Sequence, residues 1–204
     1  RDVLTAQDHA VGAAASAEVC RKVARSAYIA GSQVVMLYVP TAGEVDVSAL
    51  TRACLDQGCT VCLPRVDWQA GTMSPARFSG DGHELETTKF NLRQPGPGAL
   101  PIDPADIDLV VVPGVGFDAR GRRLGRGGGY YDRFLARPEL EALRVGVAFD
   151  AQIVEEVPVR AVSTGIVPDA RMHAVFTERR IIIGTNPRLP DALVPAPENP
   201  GRSG

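Results

Sequence analysis

The sequence has few of the residues on which several protein classes depend. Lys22 and Lys89 are the only lysines among 22 basic residues, there are three histidines, and aromatic residues make up 5% of the chain. The formal net charge is −2, so the chain lacks the overall basic character typical of nucleic-acid-binding proteins. It has no apolar run of membrane length and no secretory signal pattern, so we expect a cytoplasmic protein without a membrane partner.

The four cysteines do not have the spacing of a metal site or a disulfide framework. Cys59 and Cys62 form a CxxC pair, but no second pair with histidine completes a zinc site. Cys62 also lies in an apolar, strand-like run. We therefore expect all four cysteines to be buried free thiols in a reducing compartment.

The length of 204 residues, 45% of them hydrophobic, is enough to bury one sizeable core. We expect a single domain over residues 1–184. Residues 185–204 are rich in proline and are expected to form a loosely attached C-terminal tail.

Helical patterns alternate with apolar runs along the domain, and this alternation predicts an α/β fold. Uninterrupted β-branched runs are typical of strands covered on both faces, and right-handed β–α–β units pair their strands in parallel. We therefore predict three layers, with a mostly parallel central sheet and helices on both faces. The predicted helices cover 1–30, with an apolar stripe at Val11, Ala15, Val19, Val23 and Ala27, and 47–57; the predicted strands cover 33–39, 60–64, 109–113 and 143–149.

The loop after the strand over 109–113 is the most informative stretch. It has four glycines within the five positions 125–129, and four arginines lie within 120–126. Glycine backbone allows close approach of a ligand, and N–H groups beside guanidinium groups suit a phosphate chain. A flexible turn without a ligand is the alternative, because the loop is neither a Walker A motif nor a dinucleotide fingerprint. A helix is predicted from Tyr130, and the dipole at its N-terminus would increase the affinity of the loop for an anion. Asp132 is a candidate ligand for Mg²⁺.

The sequence RLGRGGGYYD over 123–132, after VPGVGFD over 112–118, resembles the signature of the 5-formyltetrahydrofolate cyclo-ligase family. A weaker resemblance extends over residues 4–183. It implies an enzyme that cyclises 5-formyltetrahydrofolate to 5,10-methenyltetrahydrofolate, using ATP and Mg²⁺ and releasing ADP and phosphate. We expect a monomer whose partner is this small-molecule substrate.

The resemblance also implies roles for the glycine-rich loop. Arg126 and Tyr130 are the expected catalytic residues, and both are also expected to contact the folate. Arg126 would hold the phosphates and their developing charge. The residues expected to bind ATP are Arg123, Leu124, Gly125, Arg126, Gly127, Gly128, Gly129, Tyr130 and Tyr131.

The resemblance places the folate and the metal on other segments. Glu44 is expected to accept the paired N–H donors of the pterin, with Val39 lining the same pocket. From residue chemistry alone, Glu44 could equally belong to a solvated turn. Phe90 is expected to cover the face of the pterin. Alternatively, Phe90 is an aromatic residue of the hydrophobic core. Asp132 and Asp169 are expected to orient Mg²⁺.

Two departures from the family pattern support an alternative function. No segment fits well the family's N-terminal Lys-x-x-Leu-Arg, which helps to bind ATP phosphates, and the loop around Asp169 is longer here. The alternative is a non-catalytic relative that binds nucleotide or folate. A nucleic-acid-binding module that uses the Arg-Gly loop is disfavoured, since the charge balance is acidic and no known RNA- or DNA-binding pattern is present.

Overall fold

The structure is a computed structural model that describes residues 6–158 and 170–185, and the side chains of α1 from Val11 onward. Asp169 and all but the first residue of the Pro-rich tail lie outside these ranges. Four α-helices are described: α1 (Ala6–Ala24), α2 (Ala27–Ala30), α3 (Ser48–Asp56) and α4 (Tyr130–Leu135).

The first helical region differs from its prediction in two ways. A turn at Ser26 separates α1 from α2, and the Ser26 hydroxyl donates to the Val23 carbonyl oxygen at 2.6 Å. The predicted apolar stripe is also wrong at both ends, because Val11 is 64% exposed and Ala27 is exposed. A constant spacing of four drifts around a helix of 3.6 residues per turn. The buried face instead follows the 3–4 spacing of Ser16, Val19, Cys20 and Val23.

Eleven strands form one large and two small sheets among the described residues. The seven-stranded sheet has the order β11-β10-β9-β6-β1-β2-β3, with five parallel inner strands and an antiparallel strand at each edge. The predicted mostly parallel sheet is therefore confirmed. The strands are β1 (Val34–Met36), β2 (Thr60–Asp67), β3 (Thr72–Arg77), β4 (Leu85–Thr87), β5 (Arg93–Pro95), β6 (Leu109–Pro113), β7 (Gly116–Phe117), β8 (Arg123–Leu124), β9 (Leu143–Val147), β10 (Ala174–Phe176) and β11 (Ile181–Ile183).

Two cores cover the opposite faces of the large sheet. On β6, Leu109 and Val111 pack into the core that contains α1 and α3, whereas Val110 and Val112 pack into the core that contains α4. Successive side chains of a strand point to opposite faces, so a strand covered on both sides must be apolar at every position. The central run is apolar for this reason, and helices lie on both faces as predicted.

The order of the strands fixes where a crevice opens. β1 pairs with β2 on one side and with β6 on the other, and all three strands run parallel. The connections after β1 and after β6 therefore diverge from the same edge. Such a switch point leaves a crevice at the carboxyl ends of the strands, where open α/β sheets bind ligands.

Candidate active site

A cavity of about 190 Å³, here called the site cavity, opens at the carboxyl ends of β1, β2 and β6. Four parts of the chain form most of its wall: the loop after β1, the β2–β3 hairpin, the start of β5, and the glycine-rich loop with α4. Its lining includes Tyr38, Val39, Glu44, Trp68, Met73, Arg93, Arg123, Gly125, Arg126, Gly128, Gly129, Tyr130, Tyr131 and Asp132.

A buried carboxylate shapes the turn that leads into the glycine-rich loop. Asp118 is 1% exposed, and its Oδ1 accepts backbone N–H bonds from Arg120 at 2.9 Å and from Arg122 at 3.0 Å. Its Oδ2 accepts the Val157 N–H at 3.1 Å. These bonds fix the short β7–β8 hairpin from which the loop departs.

The backbone of the glycine-rich loop has the properties of an anion site. Gly127 and Gly129 have φ values of 89° and 66°, a region that side chains other than glycine rarely adopt. Within the described ranges, no backbone N–H of residues 125–129 donates a hydrogen bond to the protein. These donors are therefore available to a phosphate group.

The two arginines of the motif occupy different environments. Arg123 has a side chain that is only 6% exposed, donates to Asp132 Oδ1 at 2.5 Å, and lies over the ring of Tyr131. Arg126 has a side chain that is 57% exposed and lies at the mouth of the cavity. Arg123 therefore supports the floor of the site, whereas Arg126 is free to exchange partners.

Glu44 faces Arg126 across the mouth of the cavity. Its Oε1 accepts from Arg126 Nε at 3.1 Å, and its Oε2 accepts the Thr41 N–H at 2.9 Å. Arg126 Nη2 also donates to the Ala42 carbonyl oxygen at 2.9 Å. The side chain of Glu44 is 10% exposed, so the alternative of a solvated turn is wrong. The two residues expected to bind pterin and phosphate are thus in direct contact.

An aromatic group forms the opposite wall. Trp68 meets Tyr130 edge-on at 5.7 Å between ring centroids, and its Nε1 is buried without a partner among the described residues. Phe90 meets Trp68 edge-on at 5.5 Å but is 87% exposed and does not line the cavity. The alternative that Phe90 is a core aromatic residue is wrong, because the residue is 87% exposed. Its φ of 60° is rare for an aromatic residue.

Three residues that form the site were not predicted from the sequence. Trp68 is the only tryptophan of the chain but lies in a stretch predicted only as a polar hairpin. Tyr38 lies near the end of the apolar run over 33–39. Its hydroxyl donates to the Val45 carbonyl oxygen at 2.7 Å, and burial together with nearby Glu44 raises its pKa. Gln152 Nε2 donates to the carbonyl oxygens of Gly43 and Gly114 at 3.3 and 3.4 Å, and so joins the loops after β1 and β6.

Some residues of the predicted set lie off the cavity wall. The side chain of Leu124 is exposed, and its backbone pairs with Gly116 in the β7–β8 hairpin. Gly127 does not line the cavity, and an added Cβ at this position would meet no atom within 4 Å. Val39 lies on the wall, as do both tyrosines of the motif.

Comparison with known proteins agrees with this architecture. A protein-family model described as the 5-formyltetrahydrofolate cyclo-ligase family matches residues 1–178. The chain belongs to the 5-formyltetrahydrofolate cyclo-ligase family. It is therefore an enzyme of a ligase family that acts on folates.

Individual cyclo-ligases show how far the similarity extends. The 5-formyltetrahydrofolate cyclo-ligase of Mycolicibacterium smegmatis is 33% identical over 153 residues, 73% of this chain and 75% of the relative. That of Mus musculus is 31% identical over 137 residues, 63% of this chain and 68% of the relative. The NMR structure of Aquifex aeolicus 5,10-methenyltetrahydrofolate synthetase is 32% identical, has a TM-score of 0.69, and the match covers 86% of this chain and 84% of that one.

Metal-binding groups are sparse in the part of this cyclo-ligase that the structure describes. No group of three His, Cys, Asp or Glu residues is placed to hold a metal ion there. All four cysteines are free, as predicted, but only Cys20, Cys54 and Cys62 are buried, and Cys59 is half-buried. Burial raises the pKa of the Cys54 and Cys62 thiols to about 12. The described residues also include no helix with the length and hydropathy needed to cross a membrane.

The different environments of the two arginines predict different effects on stability. Arg123→Gln leaves the partly buried Asp132 carboxylate without its counter-charge, and we expect it to lower the free energy of unfolding by about 2–4 kcal/mol. Arg126→Gln removes an exposed ion pair, and we expect a loss below about 1 kcal/mol. Urea unfolding of both variants measures the two losses. Equal losses would contradict the supporting role of Arg123.

Proposed function

We propose that this chain couples ATP hydrolysis to the cyclisation of 5-formyltetrahydrofolate, with Mg²⁺ bound to the phosphates. The observation that carries the proposal is the contact of Glu44 with Arg126 at the mouth of the cavity. It brings a carboxylate suited to a pterin next to a guanidinium and unpaired N–H groups suited to phosphate.

The chemistry needs an activated leaving group. The formyl oxygen attacks the γ-phosphorus of ATP, and the bond from that phosphorus to ADP breaks. N10 then attacks the formyl carbon, the carbon–oxygen bond breaks, and phosphate leaves together with the proton of N10. Positioning and charge stabilisation are the protein's contributions to such a phosphoryl transfer.

Arg126 and the loop backbone are suited to the phosphate groups. The N–H groups of residues 125–129 have no partners in the described chain, and Arg126 can turn from Glu44 toward the transferred group because its side chain is 57% exposed. Charge that develops on the phosphoryl oxygens would then meet a nearby cation. In this proposal, Gly127 and Leu124 contribute to ATP binding through their backbone, and Tyr131 lies below the nucleotide.

Glu44 and the aromatic wall are suited to the pterin. Oε1 of Glu44 would exchange the Arg126 N–H for a pterin N–H, while Oε2 keeps the Thr41 N–H. Val39, Tyr130 and Trp68 provide apolar contact beside it. Phe90 is exposed and reaches the wall only through Trp68, so its contact with the pterin face stays a prediction.

Asp132 fits the demands of a magnesium ion bound to phosphates. Mg²⁺ keeps several waters and is usually held by one or two carboxylates together with substrate phosphates, so a cage of three side chains is not needed. Oδ1 of Asp132 accepts from Arg123, and Oδ2 accepts no hydrogen bond from the described residues. The carboxylate lines the cavity and has one oxygen available. When bound, the ion would neutralise phosphate charge; the second expected ligand, Asp169, lies outside the described residues.

The direct test is the absorbance of 5,10-methenyltetrahydrofolate after the protein is mixed with 5-formyltetrahydrofolate, ATP and Mg²⁺. We expect the absorbance to rise only when all three are present. Calorimetry with 5-formyltetrahydrofolate alone is the parallel measurement. Folate binding without product would contradict the proposal and favour a non-catalytic relative.

Arg126→Ala is the sharpest variant for this mechanism. We expect it to lower kcat by about 10²–10³-fold, the usual loss when one donor to transition-state charge is removed. Arg120→Ala is the matched control, because Arg120 is a largely exposed arginine of the same segment and does not line the site cavity. Steady-state kinetics with saturating ATP compares the two. Full activity in Arg126→Ala would contradict the proposal that the glycine-rich loop binds the phosphates of ATP.

A further inference from the structure

Arg133 joins two of the parts that form the wall of the site cavity, although it does not line the cavity itself. Its Nε and Nη2 donate to the Gly71 carbonyl oxygen at 3.0 and 2.6 Å. Its Nη2 also donates to the Gly128 carbonyl oxygen at 3.0 Å. Gly71 lies in the turn between β2 and β3, and Gly128 lies in the glycine-rich loop. A single guanidinium on α4 therefore connects the hairpin to the loop.

The same guanidinium contacts an aromatic ring that lines the cavity. Arg133 Cζ lies 5.1 Å from the ring centroid of Tyr130, a distance at which a cation is attracted to the ring. Trp68, which belongs to the hairpin, meets the same ring edge-on. Tyr130 therefore contacts both the cation and the indole, and its surroundings depend on how α4 is held against the hairpin.

The turn that Arg133 holds also carries Trp68. It spans residues 68–71, so Trp68 and Gly71 are its two ends. Asp67 Oδ1 accepts two backbone N–H groups from inside the turn, at 2.9 and 3.0 Å. Because the turn is short and internally bonded, the hydrogen bonds to the Gly71 carbonyl oxygen also restrict where Trp68 stands.

Two glycines of the glycine-rich loop are packed against side chains of α4. An added Cβ at Gly128 would lie 2.9 Å from Tyr130 Cδ2, and an added Cβ at Gly129 would lie 2.7 Å from Arg133 Nη1. A larger residue at Gly129 would therefore displace the guanidinium. Tyr130 and Arg133 thus help to set the backbone path of the loop, whose N–H groups are the proposed phosphate donors.

We propose that Arg133 is a positioning residue, which holds the glycine-rich loop, Tyr130 and Trp68 in the arrangement that the reaction needs. This inference rests on the proposed function. In that function the loop belongs to the nucleotide side of the site cavity, and Trp68 belongs to its folate side. A transfer between two bound substrates is sensitive to their relative placement. A residue that fastens the two sides together therefore acts on the reaction without touching either substrate.

The contacts of Arg133 suit arginine and do not suit lysine. A planar guanidinium can donate to two carbonyl oxygens and lie over a ring at the same time, whereas the ammonium of lysine is a compact point charge. Hydrogen bonds from a charged donor are also about twice as strong as those between neutral groups. The geometry of the side chain, and not its charge alone, should therefore decide its effect.

Steady-state kinetics of Arg133→Ala with 5-formyltetrahydrofolate, ATP and Mg²⁺ is the first part of the test. We expect kcat to fall about 10–100-fold, the scale of a misplacement of about 1 Å between reacting groups. Arg133→Lys should recover little of this loss, because an ammonium cannot replace the planar fork.

Arg137→Ala is the matched control. Arg137 Nη2 donates to the Met73 carbonyl oxygen of the same hairpin at 3.3 Å, and its Cζ lies 5.4 Å from the ring centroid of Phe134. Arg137 thus makes the same kinds of contact as Arg133, but its side chain donates no hydrogen bond to the glycine-rich loop within the described chain. We expect kcat of this variant to stay within about twofold of the unaltered protein.

The fluorescence of Trp68, the only tryptophan of the chain, gives a second readout that does not need turnover. Without ligands, we expect acrylamide to quench this fluorescence more strongly in Arg133→Ala than in the unaltered protein. Quenching in Arg137→Ala should be unchanged. A role in stability alone would instead lower the midpoint of urea unfolding and leave both kcat and quenching of the folded protein unchanged.

Three results would overturn the positioning role while the proposed function stands. One is a kcat or a Trp68 quenching that stays unchanged in Arg133→Ala. Another is an equal loss of kcat in Arg137→Ala, since the docking of α4 on the hairpin would then explain both losses. The third is full activity in Arg133→Lys, since a point charge would then suffice. If the unaltered protein forms no product, the proposed function is overturned, and the positioning role with it.

Discussion

The parallel pairing of β1 with β6 is the constraint on which the candidate site depends. Val35 lies opposite Leu109 and Met36 opposite Val110, so the two parallel strands run side by side toward the same edge of the sheet. The loops that follow them bring together Glu44 and Arg126, residues that are 82 positions apart in the sequence. Gln152, which follows β9, ties the same two loops through their carbonyl oxygens.

Burial separates the permanent contacts of the site from those that can exchange. The Arg123–Asp132 pair is largely enclosed, and an uncompensated charge there would be costly, so it holds α4 against the glycine-rich loop. The Glu44–Arg126 pair includes an exposed guanidinium, and such pairs contribute only about 0–1 kcal/mol. Ligands on either side can replace it at small cost. In the proposed function, the pair joins the two loops and is replaced by contacts with the substrates.

Features set by local sequence were predictable, and features set by contacts between distant segments were not. The apolar run at 109–113 identified the central strand because burial on both faces leaves no polar position, and the glycine cluster identified the loop. The separation of Arg123 from Arg126 depends on β8, where side chains alternate between core and solvent. Trp68 reaches the cavity only through the β2–β3 hairpin, and Phe90 is exposed at a positive φ that an aromatic residue rarely adopts.

In the proposed function, the Glu44–Arg126 ion pair joins the folate-binding side of the site cavity to its nucleotide-binding side. Calorimetric titration of 5-formyltetrahydrofolate, with and without a non-hydrolysable ATP analogue and Mg²⁺, tests it most directly. Whichever ligand binds first opens the Glu44–Arg126 pair, so the second should bind several-fold more tightly, with the same factor in either order. Arg126→Gln has no pair to open, and its factor should fall toward one. Independent binding in the unaltered protein would contradict the account.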